Sequence, residues 1–252
     1  MLACLHCFFS IRRYSKNGEI MKTTLITGAN RGLGLEFSRQ FAADGWRVLA
    51  CSRNPEKSDE LNKLAALYPE LIKILALDVS DHAQIERLGQ ELSDESVDLL
   101  INNAGTYPKL SVNGFGHTDY AEWMQMFRIN TMAPLKMAET FAAQIARSEQ
   151  KICVVITSKM GSIEDNSGGG NYLYRSSKTA VNMVVKSLAI DLQPAGIISV
   201  VIHPGWVKTD MGGPNALIST EQSVSGMREI INNLSKKDSG KFFNYDGQEI
   251  PW

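Results

Sequence analysis

The chain has 252 residues, of which 44% are hydrophobic and 21% are charged, and its formal net charge is -1. No strongly basic stripe marks a nucleic-acid-binding protein, and no apolar run reaches the roughly 20 residues that span a bilayer. We therefore expect a cytoplasmic protein with neither a nucleic-acid nor a membrane partner.

Residues 1–20 precede the first convincing strand and are predicted to form a disordered extension. The apolar run stands before the basic residues, the reverse of their order in a secretory signal. A transit peptide is the alternative, because no acidic residue precedes Glu19. Cys4 and Cys7 lack a second pair of ligands, so no metal site is predicted. The folded domain is expected to occupy residues 21–252.

Short apolar runs rich in Val, Ile and Leu alternate along the chain with segments of helical periodicity. The predicted strands are 23–27, 47–51, 72–77, 97–101, 152–157, 197–202 and a last one near 240–244. The predicted helices are about 32–44, 56–68, 81–93, 119–149, 172–193 and 220–234, and Pro134 is expected to break or kink the longest. Strands that are apolar throughout are typical of parallel sheets covered on both faces. The pattern predicts a single-domain, Rossmann-like, doubly wound sheet of seven mostly parallel strands with helices on both faces.

Three long loops interrupt this alternation, at 104–118, 159–171 and 204–219. Each follows a strand, so all three should gather at the carboxyl edge of the sheet, where open α/β sheets bind ligands.

The turn between the first strand and the first helix is rich in glycine. Glycine lets the backbone approach a phosphate, and the amino terminus of a helix attracts anions. Strand, turn and helix occur in the order that a dinucleotide site requires. The residues predicted to bind the dinucleotide here are Gly28, Asn30, Arg31, Gly32, Leu33 and Gly34.

The end of the second strand, at Ser52 and Arg53, should lie beside the adenosine ribose. A carboxylate there would accept a hydrogen bond from a free 2′-hydroxyl, but this stretch has none. Arg31 and Arg53 instead offer guanidinium groups that suit a 2′-phosphate. NADP is therefore predicted over NAD, and NADPH over NADH; the alternative is that both arginines are ordinary surface residues.

The ends of the third and fourth strands complete the predicted cofactor site. Asp78 and Val79 should reach the adenine, and Asn103, Ala104 and Gly105 place small groups beside the cofactor. Asp78 could instead cap the next helix.

Tyr174 and Lys178 are four residues apart in a predicted helix and therefore share one face. A phenol has an unperturbed pKa of about 10, and a fixed positive charge beside it stabilises the phenolate. Tyr174 is thus a candidate acid/base, unless the pair belongs to a solvated helix face. Tyr172 lacks this arrangement, because its partner at the same spacing is Ser176.

Over roughly residues 22–252 the chain resembles the short-chain dehydrogenase/reductases. Within that family it resembles the branch of C-factor and sniffer-type carbonyl reductases, at 158–163, 172–178 and 203–214. The motifs that carry the family resemblance are the glycine turn, Asn102-Asn103-Ala104-Gly105, Asn130, Ser158, Tyr174 with Lys178, and Pro204-Gly205.

The resemblance implies a catalytic tetrad. Tyr174 would protonate a carbonyl oxygen as the nicotinamide delivers hydride, or act as the base in the reverse oxidation. Lys178 would lower the pKa of the tyrosine and hold the ribose hydroxyls. Ser158 would hydrogen-bond the substrate oxygen, although Ser162 lies close by. Asn130 would position a water, unless it is a helix residue satisfied by backbone.

The resemblance also places Pro204, Gly205 and Val207 beside the nicotinamide. Assembly as a homodimer or homotetramer is expected on the same ground. A small carbonyl or alcohol compound is the expected substrate, and the rival function is a dinucleotide-binding regulatory or signalling protein. Residues on or beside the long loops that could line the substrate pocket are Trp206, Met160, Met211 and Tyr107.

Overall fold

Parallel strands form the central sheet of the computed structural model, which describes residues 21–252. The predicted extension at 1–20 lies outside the described residues. The strands are β1 (Thr23–Ile26), β2 (Arg47–Ser52), β3 (Ile72–Ala76), β4 (Leu99–Asn102), β5 (Asn113–Gly114), β6 (His117–Thr118), β7 (Ile152–Ile156), β8 (Ile198–His203) and β9 (Phe242–Asn244). Of these, β5 and β6 form a separate antiparallel hairpin in a stretch that was predicted to be loop.

The main sheet has seven strands in the order β3-β2-β1-β4-β7-β8-β9, and every neighbouring pair is parallel. The predicted seven-stranded, doubly wound sheet is therefore confirmed. All residues of β1, β2, β4 and β7 are buried, as their apolar sequences indicate. The strand order reverses between β1 and β4, which is the point where sheets of this type bind ligands.

Helices cover both faces of the sheet. They are α1 (Gly32–Ala43), α2 (Asp59–Leu67), α3 (His82–Glu91), α4 (Tyr120–Phe127), α5 (Ala133–Ala146), α6 (Tyr172–Asp191) and α7 (Thr220–Asn233). Phe37 and Phe41 of α1 pack with Met227 of α7 in the core on one face. Met137 and Phe141 of α5 belong to the core on the other face. Burial of such apolar side chains is the main favourable term in folding.

The predicted break near Pro134 takes the form of a π-helical turn, Arg128–Met132, between α4 and α5. Pro134 has no amide hydrogen, so it cannot make the usual helical bond to the carbonyl of Asn130. A locally widened turn accommodates this gap without ending the helical path. The turn also presents Asn130 to the carboxyl edge of the sheet, where it contacts the main chain of Thr106.

Candidate active site

The glycine turn has a backbone that other residues would strain. Gly28 and Gly32 have φ angles of +66° and +54°, in the left-handed region that favours glycine. A Cβ on Gly34 would lie 2.2 Å from the carbonyl oxygen of Gly28. The turn can therefore close tightly at the start of α1, leaving its backbone along the cleft.

Thr27 and Asn103 hold this turn against the end of β4. The Thr27 hydroxyl accepts hydrogen bonds from the amides of Asn103 and Ala104, each at 3.0 Å. The Asn103 side chain donates to the carbonyl oxygens of Thr27 and Gly28 at 2.9 and 3.1 Å. The role of Thr27 was not predicted, because its partners lie more than 70 residues away in the sequence.

A cleft of about 1130 Å³ runs from the glycine turn to α6. Pockets for small ligands commonly measure about 300–1000 Å³, so the volume suits a molecule as large as a dinucleotide. Fifteen residues that were predicted to bind the cofactor line the cleft: Gly28, Asn30, Arg31, Gly32, Leu33, Ser52, Arg53, Asp78, Val79, Asn103, Ala104, Gly105, Tyr174, Lys178 and Pro204.

Three other predicted cofactor residues, Gly34, Gly205 and Val207, are not among the residues that line this cleft. Gly34 packs beneath the turn, as its approach to Gly28 shows. Gly205 has a φ angle of +82°, and a Cβ there would lie 2.7 Å from a side-chain carbon of Ile218. Val207 is buried and bridges to Ile218 as well. All three are closely packed against neighbouring residues and do not line the cleft.

The adenosine end of the cleft carries the two predicted arginines. Arg53 is exposed at the end of β2. The guanidinium of Arg31 forms an ion pair with Asp210, a residue of the 204–219 loop that was not predicted to belong to the site. Both partners are largely exposed, so the pair is screened by solvent.

Asp78 does not cap a helix. Its carboxylate accepts hydrogen bonds from the amide and the hydroxyl of Ser80 at 2.9 and 2.7 Å. The cap of α3 is Asp81, which accepts from the amides of Ala83 and Gln84. The helix-cap alternative for Asp78 is therefore wrong, and Asp78 lines the cleft together with Val79.

Tyr174 and Lys178 lie on one face of α6, where they are 7% and 5% exposed. The Lys178 ammonium is 5.8 Å from the centroid of the Tyr174 ring and donates a hydrogen bond to the carbonyl oxygen of Ile156 at 2.9 Å. Tyr172 is 41% exposed on the same helix. The buried pair, and not Tyr172, therefore faces the cleft.

Burial dominates the proton affinities of this pair. It raises the pKa of Tyr174 to about 12, while a hydrogen bond with Ser158 lowers it and Tyr107 raises it further. Burial also lowers the pKa of Lys178 to about 8. The expected lowering of the Tyr174 pKa by Lys178 is thus not found, because removal from water disfavours both charged forms.

Ser158 stands at the end of β7 and begins a short 3₁₀ turn. Its hydroxyl accepts a hydrogen bond from the amide of Met160 at 3.1 Å and also bonds to Tyr174. Ser162, the competing serine, accepts from the amide of Asp165 and donates to the carbonyl of Trp252. Of the two, Ser158 is the serine at Tyr174.

Asn130 contacts more than its own helix. Its side chain accepts from the amide of Thr106 and donates to the Thr106 carbonyl, at 2.9 and 3.0 Å, and donates to the hydroxyl of Ser177 at 3.1 Å. A Cβ on Gly105 would lie 3.4 Å from the Asn130 oxygen and 3.8 Å from the Lys178 ammonium. Asn130 and Lys178 therefore approach the same short stretch of backbone.

The expected substrate wall divides into two parts. Tyr107 and Met160 pack around Tyr174 together with Trp123, which the sequence did not suggest. Met211 is half exposed and lines the cleft. Trp206 is half exposed too, and its indole nitrogen donates to the carbonyl of Gly212 at 2.7 Å.

Within residues 21–252, no group of three or more His, Cys, Asp or Glu side chains could hold a metal ion. In the same part of the chain, no helix has the length and apolar character needed to cross a membrane.

The glycine turn, the strand-order reversal and the buried tyrosine with its lysine suit a nicotinamide cofactor, which transfers hydride. They define an oxidoreductase that depends on a nicotinamide dinucleotide. The chain belongs to the short-chain dehydrogenase family, whose model, described as short chain dehydrogenase, matches residues 22–217.

Three similar proteins support this assignment and the predicted branch. The chain is 43% identical to C-signal of Myxococcus xanthus over 160 residues, which cover 62% of this chain and 93% of that protein. Among solved structures, carbonyl reductase Sniffer of D. melanogaster is 33% identical with a TM-score of 0.85, covering 92% of this chain and 100% of that one. The NADPH-bound carbonyl reductase from chicken fatty liver is 34% identical with a TM-score of 0.85, covering 92% and 94%.

Proposed function

We propose that this chain is an NADPH-dependent carbonyl reductase in which Tyr174 donates the proton. The observation that carries the proposal is the position of Tyr174 and Lys178, buried on one face of α6 and lining the same cleft as the glycine turn. When bound, NADPH supplies the hydride that reduces the carbonyl carbon. The proton from Tyr174 goes to the carbonyl oxygen, and the product is an alcohol.

Tyr174 is in the protonation state that reduction of a carbonyl requires. With a pKa of about 12, the phenol is protonated at neutral pH, which is the form that donates. Ser158, already hydrogen-bonded to Tyr174, is positioned to hold the substrate oxygen beside it. Lys178 would contact the ribose, and Asn130 would support the return of a proton to Tyr174 from solvent.

Preference for NADPH over NADH rests on Arg31 and Arg53. Both line the adenosine end of the cleft, and no carboxylate stands with Ser52 and Arg53 at the end of β2. A guanidinium can form two parallel, charge-assisted hydrogen bonds with a phosphate, which it cannot form with a hydroxyl. The similarity to a carbonyl reductase solved with NADPH points the same way.

The test is a panel of aldehydes, ketones and quinones assayed with NADPH and with NADH. We expect oxidation of NADPH, and a loss of at least about 100-fold in kcat/KM for Tyr174→Phe. Tyr172→Phe on the same helix is the matched control and should retain activity. Full activity in Tyr174→Phe contradicts the mechanism, and a preference for NADH contradicts the role of the arginines.

A regulatory or signalling protein that binds the dinucleotide is the second candidate function. The similarity to a protein named C-signal is the observation that favours it. Binding of NADPH, measured by fluorescence titration, without reduction of any carbonyl in the panel would support this function over the first.

Assembly as a homodimer or homotetramer, in the cytoplasm, completes the proposal. Met183 and Ile190 are 66% and 65% exposed on α6 and lie two turns apart on one side of the helix. Apolar side chains of this size on one helix face suit a subunit contact. Light scattering should show an oligomer that Met183→Glu with Ile190→Glu dissociates, and cell fractionation checks the location.

A further inference from the structure

The ring of Tyr107 packs directly on the ring of Tyr174. The two ring centroids are 4.6 Å apart and the planes are tilted by 56°, a geometry in which aromatic rings attract each other. Tyr107 belongs to the 104–118 loop, two residues after Gly105 of the cofactor cleft. Since Tyr174 is 7% exposed, Tyr107 is part of what separates the proton donor from solvent.

Asn171, the residue before α6, holds Tyr107 in this position. The Tyr107 hydroxyl donates to the side-chain oxygen of Asn171 at 2.9 Å, and Asn113 donates to the same oxygen at 2.9 Å. Asn113 is 3% exposed and accepts from the amide of Leu173 at 3.0 Å. The loop that carries Tyr107 is thereby fixed to the start of the helix that carries Tyr174.

The backbone of Asn171 adds to this arrangement. Its φ angle is +49°, a left-handed conformation that asparagine adopts more readily than most residues. Asn171 joins the 159–171 loop to α6. In this conformation its side-chain oxygen accepts hydrogen bonds from both Tyr107 and Asn113. The position of the Tyr107 ring therefore depends on a polar network as well as on apolar packing.

We propose that Tyr107 is a specificity-determining residue that limits which carbonyl substrates reach Tyr174. The fixed ring forms one wall of the substrate pocket: small or flat carbonyl compounds pack against it, and bulky ketones are excluded. The inference rests on the proposed role of Tyr174 as proton donor. It goes further by assigning the control of substrate size to a neighbouring residue.

The first test compares the kcat/KM for benzophenone with that for propanal in four variants. In Tyr107→Ala we expect the ratio of the two values to rise at least about tenfold, because differences in pocket fit are worth about that much. Glycine adopts the positive φ angle of residue 171 but cannot accept the hydrogen bond from Tyr107. Asn171→Gly should therefore raise the ratio less than Tyr107→Ala does. Tyr107→Phe, which keeps the ring, should also give a smaller rise. Phe115→Ala removes an 89% exposed aromatic of the same loop and should leave the ratio unchanged.

The second test needs no enzyme activity. Nitration of Tyr174 by tetranitromethane, followed by mass spectrometry, should be slow in the unaltered protein and faster in Tyr107→Ala and Asn171→Gly. Nitration of Tyr120, which is 69% exposed, serves as the internal standard. Circular dichroism confirms that each variant is folded; if Tyr107→Ala is not, Asn171→Gly decides the nitration test, and Asn171→Gly with Tyr107→Phe decides the activity test.

The outcomes separate the two hypotheses. If the unaltered protein reduces no carbonyl in the panel, the proposed function fails, and the nitration rates alone decide whether Tyr107 covers Tyr174. An equal nitration rate in folded variants overturns the inference. An unchanged ratio of the two kcat/KM values in Tyr107→Ala also overturns it. An equal loss of activity toward every carbonyl in that variant would assign Tyr107 a structural role and overturn it too.

Discussion

The ammonium of Lys178 donates a hydrogen bond to the carbonyl oxygen of Ile156 at 2.9 Å. Ile156 is the last residue of β7, two positions before Ser158. This contact is one of several that tie α6 to the end of β7 and the turn after it, since Thr157 bonds to Asn182 and Gly161 accepts from Thr179 and Asn182 as well.

The pH dependence of kcat/KM for NADPH should follow the ionisation of Lys178. Because burial lowers the pKa of Lys178 to about 8, the ammonium is lost as the pH rises through that value. We expect kcat/KM for NADPH to fall over the same range. Lys178→Arg, whose side chain stays charged, should move the fall to higher pH. A profile that is unchanged in Lys178→Arg would assign the titration to another group.

Stability should respond to the same group with a definite sign. The pKa of Lys178 is lower in the folded protein, at about 8, than the ordinary lysine value of 10.5, so the unfolded chain binds more protons between these two pH values. The free energy of unfolding of the unaltered protein, relative to Lys178→Met, should therefore rise with pH across this window. Urea denaturation at several pH values measures it, and a constant difference would contradict the shift.

The ion pair of Arg31 with Asp210 should weaken binding of NADPH, because Asp210 competes with the 2′-phosphate for the guanidinium. We expect Asp210→Asn to bind NADPH more tightly, by up to about fivefold, since exposed ion pairs are worth about 0–1 kcal/mol. The affinity for NADH should not change. Fluorescence titration measures both. If both cofactors bind more tightly, or if the gain persists after Arg31→Ala, competition for Arg31 is not the cause.

Gly34→Ala should impair cofactor binding, because the added Cβ would lie 2.2 Å from the carbonyl oxygen of Gly28. We expect the Kd for NADPH to rise at least about tenfold, or about 1.4 kcal/mol. Gly114→Ala is the matched control, since a Cβ there meets nothing within 4 Å. Equal affinities in the two variants would show that the turn can relax without loss of the site.

A buried ion pair between Arg47 and Glu95 stabilises the opposite end of the sheet. Arg47 begins β2, and its side chain is 6% exposed, against 19% for Glu95. Glu95→Gln should lower the free energy of unfolding by about 3 kcal/mol, because it leaves a buried charge without its carboxylate. Glu60→Gln, which breaks an exposed pair with Lys63, should cost far less, because solvent screens that pair. Thermal denaturation of the two variants measures the difference. An equal loss of unfolding free energy in both would contradict the role of burial.

Local patterns in the sequence were sufficient to predict the sheet and the placement of Tyr174 and Lys178 on one helix face. The strands are buried on both faces, so their sequences are apolar throughout and easily recognised. Tyr174 and Lys178 are one helical turn apart, and that spacing alone places them on one face. The turn at Gly28 could be recognised because strand, glycine and helix follow each other directly.

The contacts that the sequence did not predict join residues far apart in the chain. Thr27 meets Asn103 across 76 positions, Tyr107 meets Asn171 across 64, and Arg31 meets Asp210 across 179. No local periodicity encodes such pairs. The high pKa of Tyr174 was missed for a related reason, since it depends on burial by surrounding residues and not on the lysine one turn away.

The central position of β1 has a consequence for how the site forms. Its neighbours are β2 and β4, so the first strand cannot be paired on both sides until the chain has been made beyond residue 102. Tyr174 and Lys178 follow about 70 residues later. During synthesis, β1 can therefore gain both of its neighbouring strands before Tyr174 and Lys178 have been made. The cleft residues that follow β1, β2 and β4 thus emerge in synthesis ahead of the buried pair on α6.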